Sequence, residues 1–172
     1  GREGLRPLKI VVDAGNGMAG KMLPPIFERL PFEVVPMYFE LDGSFPNHPP
    51  NPIVPENMAE LQERVVAEGA DLGAAFDGDA DRCFVVDENG RTISGDLLAA
   101  LVAKNILEKE PGATILYSAV CSKALPELIE REGGRPVRTR AGHSIIKPQM
   151  REHNAAFGAE HSGHFYFRDN YF

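Results

Sequence analysis

Three aspartates and an arginine lie in one short segment, Asp77-Gly-Asp79-Ala-Asp81-Arg82. Carboxylates this close repel one another, which disfavours their ionisation unless a cation lies between them. Ligands that are all oxygen suit Mg²⁺ or Ca²⁺, and the forked guanidinium of Arg82 suits a phosphate group. The segment therefore predicts a divalent-metal site that handles a phosphorylated ligand, with a solvated acidic turn as the alternative.

The same segment fits two other kinds of site less well. In an EF-hand loop, Glu88 would take position twelve, but Arg82 stands at position six, where that loop needs glycine. In a phosphatase of the haloacid dehalogenase type, Asp77 would be the nucleophile and Asp79 the acid. That family usually has Thr where this chain has Asp81. The phosphatase stays open as the second enzyme class.

A second group of polar side chains lies on glycine-flanked segments near the end of the sequence. Glu160, Ser162, His143 and His164 are residues that can hydrogen-bond sugar hydroxyls or take part in proton transfer. The histidines lack the ligand spacing typical of zinc sites. This group predicts contacts to a hydroxyl-bearing substrate.

A glycine-rich turn, Gly15–Gly20 (Gly-Asn-Gly-Met-Ala-Gly), follows a strand-like run, and Glu40 lies 20 residues beyond its last glycine. This spacing matches the dinucleotide-binding fingerprint. Pro24 and Pro25 would interrupt the regular helix that the fingerprint requires. A nicotinamide-binding module is thus kept as an alternative to a tight strand-to-helix turn.

The elements that must position these residues alternate between strand-like and helical patterns, in two sets. The first set has strands at 9–13, 32–39, 71–76 and 83–87, a proline-rich loop at 44–55, and a helix from Pro55 to Gly69. The second has helices near 95–110, 122–133 and 144–152, and strand-like pieces at 113–117, 136–139, 155–158 and 165–167.

Several details of this pattern are specific enough to check. Pro36 predicts an edge position or a bulge in the second strand. A stripe of Leu98, Leu101, Val102 and Ile106 is expected to be the buried face of its helix. Ser144 is expected to cap the last helix. The fold class predicted is α/β, with two consecutive units at 1–92 and 93–172, each a mixed sheet covered by helices.

Composition excludes several classes of protein. With 18 Lys+Arg against 25 Asp+Glu, the net charge of −7 argues against nucleic-acid binding. No apolar run approaches the roughly 18 residues of a membrane span, and no signal-peptide pattern opens the chain. Cys83 and Cys121 are isolated, which favours reduced thiols and a cytoplasmic location over a disulfide.

Taken together, the motifs resemble the α-D-phosphohexomutase superfamily, most closely its phosphomannomutase/phosphoglucomutase branch. The resemblance extends along nearly the whole chain, through KIVVDAGNGMAG, DGSFPNHPPNP, AFDGDADR, GGRPVRTRAGHSIIK and GAEHSGHFYF. It implies the second domain of a four-domain enzyme, with a metal-binding loop, at 1–92. It implies most of the third domain, with a sugar-binding loop, at 93–172.

The resemblance also implies an activity. It is that of a Mg²⁺-dependent intramolecular phosphotransferase, which interconverts mannose or glucose 1-phosphate and 6-phosphate through a phosphoserine and a bisphosphorylated sugar. In this scheme the metal ligands are Asp77, Asp79 and Asp81, the residue facing the phosphoryl group or sugar is Arg82, the hydroxyl contacts are Glu160 and Ser162, and the candidates for proton transfer or substrate contact are His143 and His164.

Three features of the family pattern are missing from these residues. None of the serines lies in the nucleophile motif Thr-x-Ser-His-Asn-Pro of the first domain. The Arg-x-Ser-rich phosphate loop of the fourth domain is absent, and Val120 stands where bacterial members often have Lys. The resemblance implies that the first and fourth domains are partners, that the third domain is cut short at Phe172, and that the chain alone is inactive. A non-catalytic structural domain is the further alternative.

Overall fold

A short β-branched run forms the centre of the first unit. Val11 and Val12 on this strand have no exposed surface, as expected for a strand covered on both faces. The strands of this unit are β1 (Leu8–Asp13), β2 (Phe32–Met37), β3 (Leu72–Phe76), β4 (Cys83–Asp87) and β5 (Thr92–Ile93). They form one sheet in the order β2-β1-β3-β4-β5, in which β1 pairs in parallel with β2 and β3 and the last two pairings are antiparallel.

The helices of the first unit are interrupted and terminated at prolines and glycines of the sequence. Pro24 and Pro25 divide the segment after β1 into two single turns, so no regular helix forms there. The long helix packs Leu61 and Val65 into the core and ends at Gly69, whose φ is 57°. These elements are α1 (Ala19–Met22), α2 (Pro24–Phe27), a 3₁₀ turn (Pro55–Met58) and α3 (Ala59–Glu68).

The second unit has its own core around Ile115, Ile129 and Phe157. Its elements are α4 (Gly95–Lys109), β6 (Thr114–Ser118), α5 (Ala124–Arg131), β7 (Arg135–Thr139), α6 (His143–Glu152), β8 (Phe157–Ala159), β9 (Phe165–Phe167) and a 3₁₀ turn (Arg168–Asn170). The sheet has the order β7-β6-β8-β9, with parallel pairings except between β8 and β9.

This computed structural model describes residues 4–170, in two compact units that meet in sequence between Ile93 and Ser94. Phe172, the point at which the third domain was expected to be cut short, lies outside the described residues.

Both sheets are mixed and carry helices, which confirms the predicted fold class. Pro36 lies in the edge strand β2, as its missing N–H predicted. None of the helices within the described range is long and apolar enough to span a bilayer.

The predicted buried stripe of α4 is only partly correct. Val102 and Ile106 are partly buried and pack against the core, but Leu101 is 64% exposed, and the fully buried face is formed by Ala99, Ala103 and Leu107. Small alanine side chains let a helix approach its neighbours closely, which favours an alanine face toward the core. The predicted cap is wrong, because Ser144 is the second residue of α6 and Gly142 precedes the helix.

Candidate functional site

The acidic loop, residues 77–82, joins the antiparallel strands β3 and β4. Its turn is tight: the N–H of Ala80 donates to the Asp77 carbonyl at 3.1 Å, and Ala80 has a φ of 64°. Carboxylate oxygens of Asp77, Asp79 and Asp81 all lie within 4.8 Å of one another. Asp77 is buried, and the other two are exposed. The fold therefore brings the three predicted ligands together.

Arg82 holds the buried member of this group. Its backbone N–H donates to Oδ1 of Asp77 at 3.0 Å, and its Nε donates to Oδ2 at 2.5 Å. Burial acts to raise the pKa of Asp77, but the hydrogen bonds and charge of Arg82 outweigh it, so the pKa lies below its ordinary value. Asp77 is therefore kept ionised, which is the form that a metal ion requires.

The acidic loop suits a hard divalent cation. Three oxygen donors from one turn can occupy part of an octahedral Mg²⁺ shell, and the remaining positions suit water or phosphate oxygens. The set contains only carboxylates, with no histidine or thiolate to favour a transition metal. Within residues 4–170, this is the one group of His, Cys, Asp and Glu side chains close enough to share an ion.

The glycine-rich turn supports the acidic loop. The N–H of Met18 donates to the carbonyl oxygen of Gly78 at 2.9 Å, and a Cβ at Gly17 would lie only 2.6 Å from that oxygen. A Cβ at Gly20 would lie 2.1 Å from the carbonyl oxygen of Phe39. These glycines therefore allow close backbone packing within the unit. Since α1 has only four residues, the turn lacks the regular helix of a dinucleotide-binding fingerprint.

The proline-rich loop contributes polar residues that sequence analysis missed. Nε2 of His48 lies 2.9 Å from Oδ2 of the buried Asp13, which fastens the loop to the end of β1. Further along the same loop, Oδ1 of Asn51 accepts a hydrogen bond from Nη1 of Arg82 at 3.3 Å. The only sequence signal was their position at a strand end and within the PNHPPNP motif. The loop thus contacts the same guanidinium group that hydrogen-bonds Asp77.

In the second unit, Glu160 lies at the centre of the other predicted group. It is 5% exposed and begins the loop of residues 160–164 between β8 and β9, here called the sugar loop. Oε1 accepts from the N–H of Gly142 at 2.9 Å and from the hydroxyl of Tyr166 at 3.1 Å. Oε2 accepts from the hydroxyl of Ser162 at 3.3 Å. Glu160 therefore organises its surroundings besides any role toward a substrate.

The remaining predicted residues are placed around Glu160. The Ser162 hydroxyl lies 2.8 Å from Nδ1 of His164, and that nitrogen is 3.7 Å from Oε2 of Glu160. His143 is exposed at the start of α6, directly after Gly142. Val120 is 68% exposed in the turn after β6. Glu160, Ser162 and His164 form one hydrogen-bonded group with polar atoms that can serve hydroxyl ligands, and the individual roles stay predictions.

Comparison with known proteins assigns both units. Residues 2–90 match the phosphoglucomutase/phosphomannomutase alpha/beta/alpha domain II, and residues 94–172 match domain III of the same family. A phosphomannomutase/phosphoglucomutase of Pseudomonas aeruginosa is 47% identical over 167 residues, which cover 97% of this chain. The chain spans 36% of the length of that relative.

Solved structures show the same fold. A phosphoglucomutase/phosphomannomutase family protein from Burkholderia thailandensis aligns with a TM-score of 0.92 and 42% identity, over 95% of this chain and 36% of its own. An N-acetylphosphoglucosamine mutase from Aspergillus fumigatus, in complex with GlcNAc-6P and magnesium, aligns with a TM-score of 0.69 and 17% identity. The alignment covers 95% of this chain and 37% of that protein.

Proposed function

The chain belongs to the phosphoglucomutase/phosphomannomutase family, and from this we propose that it is the domain II and III part of a phosphohexomutase. The substrates are hexose phosphates, mannose or glucose 1-phosphate and 6-phosphate. The reaction moves a phosphoryl group between two positions of one sugar through a phosphoserine and a bisphosphorylated intermediate. The serine and a clamp for the non-reacting phosphate belong to the first and fourth domains, which are the partners of these two.

The observation that carries the proposal is the convergence of three carboxylates beside Arg82. Asp77, Asp79 and Asp81 would hold Mg²⁺, and a bound Mg²⁺ would neutralise charge on the phosphoryl oxygens. Phosphoryl transfer depends mainly on positioning and on neutralising oxygen charge. Arg82 supplies a fixed fork of N–H donors for the phosphoryl group or sugar, since its guanidinium is held by both Asp77 and Asn51.

The sugar loop supplies the other half of the reaction. A site built to hydrogen-bond hydroxyls rejects ligands that lack them, because its polar groups are then left unpaired. Glu160 and Ser162 are the proposed contacts to two sugar hydroxyls. His164, hydrogen-bonded to Ser162, and His143 are the proposed groups for proton transfer or substrate contact. A hexose that turns around in the site must find the same contacts in both orientations.

The phosphatase alternative has less support from the geometry. An aspartate nucleophile needs an oxygen that is open to the incoming phosphorus atom. Both oxygens of the buried Asp77 instead accept hydrogen bonds from Arg82. This arrangement suits a metal ligand with a fixed orientation better than a nucleophile.

Titration of the chain with Mg²⁺, followed by NMR of backbone amides, tests the metal site. We expect Mg²⁺ to shift the amides of residues 77–82, and Asp79→Asn to weaken binding by roughly tenfold. Glu63→Gln is the matched control, because it removes one exposed acidic charge from α3 of the same unit. Equal Mg²⁺ affinity in the Asp79 variant and the control would overturn the metal assignment.

A coupled assay for mannose 6-phosphate tests whether the reaction needs the first and fourth domains. We expect residues 1–172 alone to show no conversion of mannose 1-phosphate, even with Mg²⁺ and a hexose bisphosphate. Without the nucleophile and the phosphate clamp, the positioning that supplies roughly 7–11 kcal/mol of a barrier is lost. Turnover within a few tenfold of a whole four-domain relative would contradict the proposal and favour Asp77 as the nucleophile that carries the phosphoryl group between the two sugar positions. Release of inorganic phosphate without mannose 6-phosphate would favour the phosphatase.

A further inference from the structure

Asp96 connects two loops of the second unit and has no role in the site described above. It is the second residue of α4 and is 8% exposed. Its Oδ2 accepts a hydrogen bond from the N–H of Ser122 at 3.2 Å and lies 3.2 Å from Nδ1 of His161. Ser122 belongs to the turn after β6, and His161 belongs to the sugar loop. One carboxylate oxygen therefore joins both segments.

These segments lie where a ligand of this fold would bind. β6 and β8 are neighbouring parallel strands, so the turn after β6 and the sugar loop after β8 leave the same edge of the sheet. Ligands of open α/β sheets bind at the carboxyl ends of such strands. Val120 is in the first of these segments, and Glu160 and Ser162 are in the second.

The helix itself is pressed against the sugar loop. A Cβ at Gly95 would lie 2.6 Å from the carbonyl oxygen of His161 and 3.5 Å from that of Glu160. Only glycine permits this approach, and it brings the side chain of the next residue, Asp96, level with the loop. The start of α4 therefore packs closely against the backbone of the loop that carries the predicted sugar contacts.

The other oxygen of Asp96, Oδ1, is buried and has no hydrogen-bond partner within the described part of the chain. Such an oxygen adds a cost to the folded state. The carboxylate also acts on the neighbouring Cys121, where it helps to raise the pKa of the thiol. The two hydrogen-bond contacts of Asp96 to other segments are both made by Oδ2, which joins the turn after β6 to the sugar loop.

We propose that Asp96 is a positioning residue that fixes the sugar loop, through His161, relative to the turn after β6. The proposal rests on the proposed function, since the loop is taken to bind the sugar. Asp96 touches no substrate in this scheme. It sets where Glu160 and Ser162 stand with respect to Val120, so its loss weakens sugar recognition while every proposed contact residue remains present.

The test compares variants on both sides of the junction. Asp96→Ala removes the acceptor, and His161→Leu removes the donor. His161→Asn is the matched control, because the amide nitrogen of Asn occupies nearly the position of Nδ1 and can still donate. Two properties are measured on the chain: amide hydrogen exchange of Ser122 and Gly163, and the affinity for mannose 6-phosphate by NMR titration.

We expect Asp96→Ala to speed exchange at both Ser122 and Gly163 by about tenfold and to weaken mannose 6-phosphate binding by about tenfold. His161→Leu should speed exchange at Gly163 and weaken binding severalfold, and His161→Asn should restore both. If Asp96→Ala does not fold, the two His161 variants decide the question alone.

The proposal is overturned if His161→Leu and His161→Asn behave alike, or if neither changes exchange at Gly163. A parent chain that binds no mannose 6-phosphate counts against the proposed function instead. In that case the exchange rates at Gly163 still decide whether the junction holds the loop.

Discussion

Arg82 hydrogen-bonds both carboxylate oxygens of Asp77, one through its backbone N–H at 3.0 Å and the other through Nε at 2.5 Å. The two residues stand at opposite ends of one acidic loop, so the contact closes the loop on itself. It orients Asp77 and holds its pKa low against the effect of burial. The proposed metal ligand and the proposed phosphate contact therefore behave as one unit.

The first prediction concerns this contact. Arg82→Lys keeps the charge but loses the Nε donor, since an ammonium cannot reproduce the planar fork. We expect the pKa of Asp77 to rise, as seen by NMR titration of its side-chain carboxyl carbon. In the whole enzyme we expect kcat/KM for mannose phosphates to fall on the order of 100-fold.

Arg91→Lys is the control for the Arg82 variant. Arg91 makes a similar Nε contact, at 2.9 Å, to Asp87 on an exposed turn of the same unit. Its replacement should leave both the Asp77 pKa and turnover unchanged. An unaltered Asp77 pKa in Arg82→Lys would show that Nε contributes nothing to holding that carboxylate.

The second prediction concerns Glu160. Glu160→Gln places an amide N–H₂ among donors from Gly142, Tyr166 and Ser162, and at least one buried donor loses its acceptor. We expect a loss of about 1–3 kcal/mol in the free energy of unfolding, measured with urea. The burial of Glu160 means that its replacement affects stability as well as any turnover.

Tyr166→Phe separates these two effects. It removes one of the donors to Glu160 and leaves the carboxylate in place, so the cost should be about 1 kcal/mol or less. Mannose 6-phosphate binding should be retained in Tyr166→Phe and lost in Glu160→Gln. Equal losses of binding in both variants would mean that Glu160 acts on the sugar only through the loop structure.

The third prediction uses the exposed Val120. Because its side chain is 68% exposed, Val120→Lys should change the free energy of unfolding by no more than about 0.5 kcal/mol. We expect it to tighten mannose 6-phosphate binding by roughly two- to fivefold, because an exposed ion pair with the phosphate contributes a free energy of that size. Added salt should remove the gain, since it screens exposed charges. Val66→Lys, on the exposed face of α3, should have no effect on binding. A comparable gain from both lysines would indicate nonspecific attraction of the phosphate.

The fourth prediction concerns the pH dependence of Asp13. Burial raises the pKa of Asp13 above its ordinary 3.8, and the contacts from His48 and Gly15 only partly oppose this. The folded state therefore binds the proton more tightly than the unfolded state, so the carboxyl contributes more stability as pH falls through its folded pKa. This gain levels off below the unfolded pKa of 3.8.

Asp13→Asn removes that dependence while keeping the shape of the side chain. The amide can accept from the N–H of Gly15 and donate to Nε2 of His48, whose Nδ1 lies 3.0 Å from the carbonyl oxygen of Pro49. At pH 7 we expect the midpoint temperature of thermal unfolding to be unchanged or raised by a few degrees, where 1 kcal/mol corresponds to about 2–4 °C for a chain of this length.

Asp71→Asn, an exposed change in the same unit, is the control for Asp13 and should keep the acid dependence of the parent. The midpoint temperature of thermal unfolding is measured from pH 3.5 to 7.5 for the parent and for both variants. If Asp13→Asn is less stable at neutral pH by more than about 2 kcal/mol, the contact between Asp13 and His48 acts as a stabilising buried ion pair.

The sequence by itself determined the local structure and the acidic loop. β-branched runs such as Lys9–Asp13, the prolines at 24 and 25, and Gly69 act through backbone conformation and short-range periodicity, so they indicated strands and helix ends directly. Three aspartates within five residues must lie close together in any tight turn. The motif match then identified the family, which the two domain matches confirm.

Only the tertiary structure decided which side chains contact each other when they are far apart in sequence. Asp13 and His48 are 35 residues apart, and Asp96 and His161 are 65 apart. No local periodicity encodes such pairs, because they depend on strand order and on how closely elements pack. The same packing buried the alanine face of α4 and left Leu101 in solvent, since a close approach between elements there requires small side chains.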